Sequence, residues 1–366
     1  MADRPHIMHV ITGLGRGGAE RMLYTLCAKD TQSSAAELLV VSLQPGGVYR
    51  DLLTQAGVRV EDCGITSALT IPRGLLRLAG IIKREQPAIL QGWMYHANGL
   101  AALALRLSGR RRLTKLIWGI RCTAMDVRNH SLLLRGALFM SRLLRREPDI
   151  TIANSHAGRR DHLALKLIAE PCDVIENGVD GTAFQPGTLE QRRSIRAELG
   201  IADDTFTVIT VARNDPMKDY PLLLEVARMI PDATFLAVGL GTETLPPLDN
   251  LHRLGARADV AELLGACDVL ASPSAYGEGM SNSIAEAMAC GLPVVATDVG
   301  DAARLIGEAG TIVRPRDAAA LARAIESMRG DAPKRHAKGK AARERILEHF
   351  TVERVVARFR ALHQGL

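Results

Sequence analysis

Aromatic residues are scarce in this sequence, at 4% of 366 residues. Stacked aromatic platforms for nucleic acid are therefore not expected. The six cysteines are scattered without a C-x-x-C pair, which argues against a zinc site and favours reduced thiols in a cytoplasmic setting. No run of about twenty apolar residues occurs, so no membrane-spanning helix is predicted. The N-terminus lacks the apolar core and cleavage site of a signal peptide, so none is expected.

The composition is that of a globular protein, with 47% hydrophobic and 23% charged residues, and the length suggests two domains. The charge is distributed unevenly. Residues 1–150 hold 21 Lys and Arg against 11 Asp and Glu, whereas residues 151–366 hold 25 against 29. A basic first part indicates an anionic partner, such as nucleic acid, anionic lipid or a phosphorylated acceptor.

Strand and helix candidates alternate along the whole chain, which predicts a doubly wound α/β architecture. The first strand candidate, residues 6–12, leads into a glycine-rich loop that contains Gly17 and Gly18. This loop satisfies the G-x-G-x-x-G spacing of dinucleotide-binding proteins. The second strand candidate, residues 37–43, is not followed by the acidic residue that would bind the cofactor ribose. A nicotinamide-cofactor enzyme is therefore disfavoured.

Two polar residues of the first half follow predicted strands. His96 lies where a strand at residues 88–91 gives way to a helix, and Arg121 follows a strand at residues 115–119. The carboxyl ends of parallel strands face the ligand crevice of an open sheet. Most isolated histidines are surface or core residues, so this position is what favours His96 as a site residue. Arg121 is a candidate for binding a diphosphate or an acceptor.

Residues 131–146, SLLLRGALFMSRLLRR, form a leucine-rich helix candidate with four arginines. One interpretation is a core helix whose arginines are solvated. The other is a helix that lies on an anionic membrane surface, which would suit a lipid-linked acceptor. The sequence leaves both open.

The most informative stretch is residues 272–300, SPSAYGEGMSNSIAEAMACGLPVVATDVG, which follows an apolar strand candidate at residues 266–272. It places a glycine-flanked acid, Glu278, ahead of a helix that begins at residues 281–283. A second predicted strand follows the helix. The start of such a helix offers N–H groups to an anion, most often a phosphate.

Two acids, Glu278 and Glu286, frame this helix start. With the E-A-M-A-x-G-x-P-V-V-A-T run that follows, they resemble the E-x7-E signature of retaining glycosyltransferases of family 4, which have the GT-B fold. In that family the second acid binds the donor ribose and the first lies beside the donor sugar. The alternative is structural, because Ser283-x-x-Glu286 also has the spacing of a capping box.

The resemblance extends to other segments, although Ala212 stands where the family usually has Gly and Ser281-Asn282 replace the commoner Gly-x. It implies that Arg213 and Lys218 clamp the donor diphosphate, where two cations can neutralise the charge of a departing nucleoside diphosphate. It also implies that His96 contacts the donor sugar near the reacting carbon. The remaining implied donor contacts are Gly17, Gly18, Arg257, Ser281, Asn282 and Ser283.

The resemblance implies two Rossmann-like doubly wound domains that face a cleft, with a C-terminal helix that crosses back. The expected parts are residues 1–180 for the acceptor, residues 181–348 for the donor and residues 349–366 for the returning helix. The implied reaction moves a sugar with retention from a UDP- or GDP-sugar to a glycan or lipid-linked acceptor in exopolysaccharide, capsule or lipopolysaccharide biosynthesis. No D-x-D triplet occurs, so neither a metal nor another cofactor is expected.

The sequence leaves two other classes of function open. One is a GT-B enzyme that processes sugar nucleotides or sugar phosphates, such as an epimerase or a phosphorylase, although no lysine motif for a pyridoxal cofactor stands out. The other is a basic module that binds nucleic acid, which the low aromatic content disfavours. We therefore expect no nucleic-acid partner, and a cytoplasmic protein at the inner face of the membrane.

Overall fold

The computed structural model describes residues 6–33, 36–123 and 132–366. The chain divides into two compact units, unit 1 from Met1–Gly178 with Val352–Leu366, and unit 2 from Val179–Thr351. Each unit has its own parallel β-sheet with apolar clusters on both faces. The predicted fold class, two Rossmann-like doubly wound α/β units, is confirmed.

Unit 1 is built on a seven-stranded sheet. Its strands are β1 (His6–Ile11), β2 (Glu37–Ser42), β3 (Arg59–Asp62), β4 (Ile89–Trp93), β5 (Lys115–Ile120), β6 (Ile150–Ala153) and β7 (Cys172–Val174). Their spatial order is β3-β2-β1-β4-β5-β6-β7. The chain order therefore changes direction between β1 and β4, which is where a doubly wound sheet opens a ligand crevice at its carboxyl edge.

Helices cover both faces of this sheet, so its central strands are continuous apolar runs rather than alternating ones. The helices are α1 (Gly18–Ser33), α2 (Val48–Gln55), α3 (Ile71–Glu85), α4 (Met94–Leu107), α5 (Leu132–Leu144) and α6 (His156–Ala164). One core cluster joins the sheet to α3, α4 and α5, and the other joins it to α1 and α2.

Unit 2 repeats the theme with six strands. They are β8 (Thr207–Val211), β9 (Thr234–Val238), β10 (Leu251–Gly255), β11 (Val269–Ser272), β12 (Val294–Thr297) and β13 (Gly310–Val313), in the order β10-β9-β8-β11-β12-β13. The helices are α7 (Leu189–Glu198), α8 (Tyr220–Met229), α9 (Val260–Ala266), α10 (Asn282–Ala289), α11 (Ala302–Ile306), α12 (Ala318–Arg329) and α13 (Ala332–His349). Its change of direction falls between β8 and β11.

The last helix, α14 (Val352–Gln364), belongs to unit 1, so the predicted returning helix is confirmed. Its Phe359 stacks on Trp93 with ring centroids 6.2 Å apart. The return to unit 1 comes after Thr351, a few residues later than residue 349, because Phe350 is buried in the unit 2 core. The Val179 N–H donates to the Phe350 carbonyl at 2.9 Å, which joins the two ends of unit 2.

Some local predictions differ from the structure. The strand predicted at residues 266–272 begins only at Val269, because α9 continues through Ala266. The predicted helix at residues 131–146 is α5, and Ser131 lies outside the described residues. All six cysteines are buried and none forms a disulfide. Within the described ranges, no helix has both the length and the apolar content needed to cross a bilayer.

Candidate functional site

The predicted donor-binding residues of unit 2 lie in loops that follow strands of its sheet. Arg213 and Lys218 follow β8, and Glu278 follows β11, the two strands between which the chain order changes direction. Arg257 follows β10 at the end of the sheet. Because the carboxyl ends of parallel strands meet at one edge, these side chains share one edge of unit 2.

Lys218 and Glu278 form an ion pair across the β8 and β11 loops. Lys218 Nζ donates to Glu278 Oε1, and Ser274 Oγ donates to the same oxygen at 2.8 Å. The two charged side chains are 18% and 12% exposed, so the pair is largely shielded from water but still reachable from one side. The sequence predicted both residues, but neither their contact nor Ser274, since no spacing rule relates two separate loops.

Glycines allow the Glu278 loop to approach the lysine. Gly277 and Gly300 have φ of +78° and +64°, in the left-handed region that favours glycine. A Cβ at Gly277 would collide with the Met217 side chain, and one at Gly300 would collide with the carbonyl oxygen of Glu278. The Ala275 N–H donates to the Met217 carbonyl at 2.8 Å. The β11 loop therefore packs directly on the segment that carries the lysine.

Arg213 is held by a carboxylate that the sequence analysis did not single out. Its Nε donates to Asp215 Oδ2 at 3.1 Å, while Asp215 Oδ1 accepts the Met217 N–H at 2.9 Å. Burial opposes ionisation of Asp215, but the N–H of Met217 and the charge of Arg213 keep its pKa below the ordinary value. The side-on contact through Nε leaves the Nη1 and Nη2 ends of the guanidinium for another anion.

Helix α10 begins at Asn282 with Ser281 as its N-cap. The Ser281 side chain accepts no backbone N–H of the helix and instead lies 3.3 Å from the hydroxyl of Ser283. Ser283 thus lies inside the first turn rather than at the N-cap. The capping box considered for Ser283 and Glu286 is therefore wrong. Glu286 is buried one turn further along the helix. The cap side chain does not occupy the first N–H groups of α10, which carry the positive end of the helix dipole.

Arg257 makes its contacts inside unit 2. Its guanidinium binds Asp259 through Nε at 2.8 Å and through Nη2 at 2.5 Å, and Nη2 also reaches Glu198 at 3.1 Å. These carboxylates raise the pKa of Arg257 and, in return, the arginine lowers the pKa of Asp259. The side chain therefore stiffens the β10 loop, and its predicted contact with the donor remains a prediction.

The predicted residues of unit 1 lie at the carboxyl edge of its own sheet. Gly17 directly precedes α1 and Gly18 is the first residue of that helix, and a Cβ at Gly17 would collide with the carboxylate of Glu20. Burial raises the pKa of this Glu20 carboxyl group. The same glycine-rich loop is tied to the segment after β2, because the Tyr49 N–H donates to the Leu14 carbonyl at 3.0 Å.

His96 lies in the first turn of α4, directly after β4, as the sequence predicted. It is half-buried, and this burial lowers the pKa of its imidazole, although a hydrogen bond to the backbone of Leu133 opposes the shift. The imidazole is therefore neutral at neutral pH. The helix is entered through Met94, which has φ of +71°, a strained value for a residue with a long side chain.

Arg121 follows β5, but its guanidinium is enclosed by protein. It lies over the rings of Trp93 and Phe359, 4.7 and 5.4 Å from their centroids, and Nη1 donates to Asn177 Oδ1 at 3.1 Å. Burial lowers its pKa to about 9. Among the described residues, its buried Nε and Nη2 atoms find no hydrogen-bond partner. A role in binding an acceptor or phosphate would require this enclosure to open.

The structure thus brings the predicted residues into two groups, one at the carboxyl edge of each sheet. Arg213, Lys218, Glu278 and the start of α10 meet in unit 2. Gly17, His96 and Arg121 follow the adjacent strands β1, β4 and β5 in unit 1. In neither group, as far as the chain is described, do three His, Cys, Asp or Glu side chains cluster in a way that could hold a metal.

Two family models match the chain. The model described as "Glycosyltransferase Family 4" matches residues 16–182, and the one described as "Glycosyl transferases group 1" matches residues 205–331. Together they span most of the chain, with one match in each unit. The segments that carried the sequence resemblance lie within these two ranges.

Individual proteins resemble this chain in sequence or in fold. A protein named D-inositol 3-phosphate glycosyltransferase from Mycobacterium tuberculosis (strain H37Rv) is 32% identical over 203 residues, covering 50% of this chain and 41% of that protein. The crystal structure of Anabaena Alr3699/HepE in complex with UDP and glucose superposes with a TM-score of 0.85 at 24% identity, over 99% of this chain and 100% of that one. A glycosyltransferase from Rickettsia africae gives 0.81 at 18% identity, over 99% and 98%.

Proposed function

We propose a reaction from the premise that this chain belongs to glycosyltransferase family 4, the group 1 glycosyl transferases, and is a glycosyltransferase of the GT-B fold. It moves a sugar from a nucleoside-diphosphate sugar, UDP- or GDP-linked, to a hydroxyl of a glycan or lipid-linked acceptor, with retention of configuration. The observation that carries this is the meeting of Lys218, Glu278 and the start of α10 at one edge of unit 2.

The charges at this edge suit a leaving diphosphate. Transfer breaks the bond between the anomeric carbon and a phosphate oxygen, so negative charge grows on the nucleoside diphosphate. Arg213, Lys218 and the N-terminus of α10 stabilise that charge through fixed positive groups that need little rearrangement. These groups supply the positive charge without a metal ion. Glu286 binds the ribose hydroxyls, and Glu278 lies beside the donor sugar.

The acceptor binds unit 1 near His96. Its hydroxyl oxygen forms the new bond to the anomeric carbon on the face that the leaving group vacates. The hydroxyl proton passes to an oxygen of the departing diphosphate, which balances the charge without a protein base. The neutral imidazole of His96 holds a sugar hydroxyl by a hydrogen bond, since burial keeps its pKa low.

The outer face of α5 supports contact with an anionic membrane surface. Ala137, Leu138, Ser141 and Leu144 are its buried residues. Leu132, Phe139 and Leu143 are 81%, 70% and 72% exposed, so these apolar side chains of α5 do not pack in the core. Its exposed arginines, Arg135 and Arg142, complement anionic headgroups. Such docking places the enzyme beside a lipid-linked acceptor during surface polysaccharide assembly at the cytoplasmic face.

Nucleotide binding tests the donor site. We expect one of UDP, GDP, ADP or CMP, or UDP-glucose, to raise the melting temperature, because a ligand at one hundred times its Kd stabilises by about 2.7 kcal/mol. Arg213→Ala and Lys218→Ala should abolish the shift, whereas Arg323→Ala and Lys340→Ala on α12 and α13 should keep it. If no nucleotide shifts the wild-type protein, the donor assignment is wrong.

Vesicle flotation tests the membrane surface. Wild-type protein should float with vesicles of phosphatidylcholine and phosphatidylglycerol but not with phosphatidylcholine alone. The double change Phe139→Ser and Leu143→Ser should remove binding, and Leu189→Ser, an exposed leucine of unit 2, should not. Absence of flotation of the wild-type protein would overturn the membrane contact and leave the donor site unaffected.

A further inference from the structure

Three polar side chains of unit 1 meet beside His96 in the protein interior, and the proposed reaction uses none of them. Tyr95 Oη lies 2.6 Å from His162 Nε2 and 3.4 Å from Cys122 Sγ. The rings of Tyr95 and His162 also stack, with centroids 5.6 Å apart and planes inclined by 26°. All three side chains are buried. They come from α4, from the segment after β5 and from α6, so the contact joins three separate elements.

The direction of these hydrogen bonds follows from chemistry. His162 Nδ1 lies 2.6 Å from the carbonyl oxygen of Gly158, which can only accept, so Nδ1 carries the proton. Nε2 therefore accepts from the Tyr95 hydroxyl, whose oxygen is left to accept from the Cys122 thiol. Burial lowers the pKa of His162 despite the hydrogen bond to Gly158, which keeps the ring neutral and this arrangement intact at neutral pH.

A second pair of hydrogen bonds fixes the start of α4 to the sheet. The Asn98 amide donates to the Gly119 carbonyl at 3.1 Å and accepts the Gly119 N–H at 3.3 Å. A Cβ at Gly92 would collide with Asn98, so this close approach to the sheet requires glycine there. Directly before Tyr95, the helix is entered through Met94 at φ +71°. A strained residue persists only where its surroundings fix the backbone, and such residues cluster at functional sites.

Packing alone does not account for the Tyr95–His162 pair. A phenylalanine would fill nearly the same space without a buried hydroxyl, and a buried hydrogen bond adds little net stability compared with leaving both partners apolar. A fully connected buried network does, however, select one orientation of the groups that it joins. The group that this network orients is the first turn of α4, and His96 is the next residue along that turn.

We propose that Tyr95 and His162 are positioning residues, whose hydrogen bond fixes the first turn of α4 and holds the His96 imidazole in the orientation that transfer requires. This inference rests on the proposed function through the role of His96. It adds two residues to the site that no sequence motif indicated and that touch neither donor nor acceptor.

The test compares Tyr95→Phe with the wild-type protein. The His96 ring signal, assigned with His96→Asn, is titrated by NMR, and kcat and KM are measured with the nucleotide sugar that stabilises the protein. We expect the His96 pKa to rise towards its ordinary value as the turn loosens. We also expect kcat to fall about tenfold to a hundredfold, because misplacing a group by about 1 Å has effects of that size. The donor KM should change little.

Other variants separate positioning from stability. His162→Gln keeps an acceptor for the Tyr95 hydroxyl. It should therefore lower kcat and shift the His96 pKa less than His162→Leu does. Val40→Ala, in β2 of the opposite core cluster, destabilises unit 1 without touching the turn and should leave the His96 titration unchanged. Tyr95→Phe combined with His96→Asn should be no slower than His96→Asn alone, since the two act through one group.

An unchanged His96 titration together with an unchanged kcat in Tyr95→Phe would overturn the inference. Full additivity of the Tyr95 and His96 changes would also overturn it. Wild-type kcat in His96→Asn would instead contradict the proposed role of His96, while loss of nucleotide binding in that variant would point to a donor contact. These outcomes are distinct from a failure of the donor site, which the nucleotide melting shifts measure separately.

Discussion

The two units hold their carboxyl-edge residues in different ways. In unit 2 the contacts join opposite charges, as in Lys218 with Glu278 and Arg213 with Asp215. In unit 1 the contacts beside the predicted residues join neutral groups, as in Tyr95 with His162, although Glu176 after β7 pairs with Arg358. Arg121, a cation at that edge of unit 1, lies on aromatic rings and an amide oxygen.

This difference indicates two tasks. An ion pair that is partly open to water can exchange its carboxylate for a phosphate at small cost, so unit 2 is suited to a ligand that arrives and leaves charged. Buried neutral groups cannot accept a charge without a large desolvation penalty, so unit 1 keeps one arrangement. The proposed division into a donor-binding and an acceptor-binding unit agrees with this contrast.

The largest expected effect is that acid unfolds unit 1 first. Trp93 Nε1 donates to His9 Nδ1 at 3.3 Å, and His363 Nε2 bonds Gln91 Oε1 at 2.9 Å in the same buried cluster. Burial lowers the pKa of His9 to about 3, helped by the nearby His363, whose own pKa burial lowers to about 4. Both rings are neutral in the folded protein, whereas unfolded histidines gain protons below about pH 6.5.

The stabilisation that depends on the two neutral histidines should therefore be fully present above pH 6.5. The free energy of unfolding should fall by roughly 3 to 6 kcal/mol as the pH drops to 4. Raised pKa values of Glu20 and Asp30 act in the opposite direction and reduce this loss. Both tryptophans of the chain lie in unit 1, so their fluorescence reports on this unit. Replacing His9 and His363 by Gln should flatten the pH dependence, and an unaltered pH dependence would contradict the assignment.

A smaller effect is expected at the loop that places Glu278. Gly300→Ala introduces a Cβ that collides with backbone carbonyl oxygens of that loop, in addition to the strain of φ +64°. Gly200 has nearly the same φ, +68°, but open space around it, so Gly200→Ala measures the strain alone. We expect Gly200→Ala to cost about 1 kcal/mol and Gly300→Ala about 3 kcal/mol in urea unfolding. Equal losses of unfolding free energy in the two variants would mean that the Glu278 loop moves aside freely to accommodate the Cβ.

Much of the architecture could be predicted from the sequence because it is encoded locally. Short apolar runs, glycines and helix starts recur in order, so the doubly wound fold and the strand-end positions of His96, Arg213 and Glu278 follow from pattern. The resemblance to the family, and not the pattern, implied that the last helix returns to unit 1, whereas the helix itself follows from its amphipathic pattern. These features depend on residues that are neighbours in the chain.

The rest depends on contacts between distant segments, which no spacing rule specifies. Nothing in the pattern pairs Lys218 with Glu278 or Tyr95 with His162, and burial of the Arg121 guanidinium required the position of Phe359 on α14. The start of α10 could not be predicted for a different reason. Several polar residues there can each serve as an N-cap, and only the structure selects Ser281 over Ser283.

The smallest expected effect is the loss of stability when the Lys218–Glu278 ion pair is broken, compared with an exposed ion pair at the surface. Lys218→Met leaves Glu278 largely shielded with Ser274 as its remaining partner, which should cost about 1 to 2 kcal/mol in urea unfolding. The matched control is Lys29→Met, which breaks the exposed pair with Glu353 in unit 1 and should cost less than about 0.5 kcal/mol. Equal costs for the two lysines would contradict the contrast between the units.

Adding Glu278→Gln to Lys218→Met distinguishes two roles of the lysine. Removing both charges should recover part of the lost stability, because an unpaired shielded carboxylate is costlier than no charge at all. Binding of the nucleotide identified by melting shifts should not recover, since the diphosphate has lost its cation. Recovery of both properties would show that Lys218 serves only to neutralise Glu278. Recovery of stability alone would mean that the lysine has two partners, the carboxylate in the empty site and the phosphate when the donor is bound.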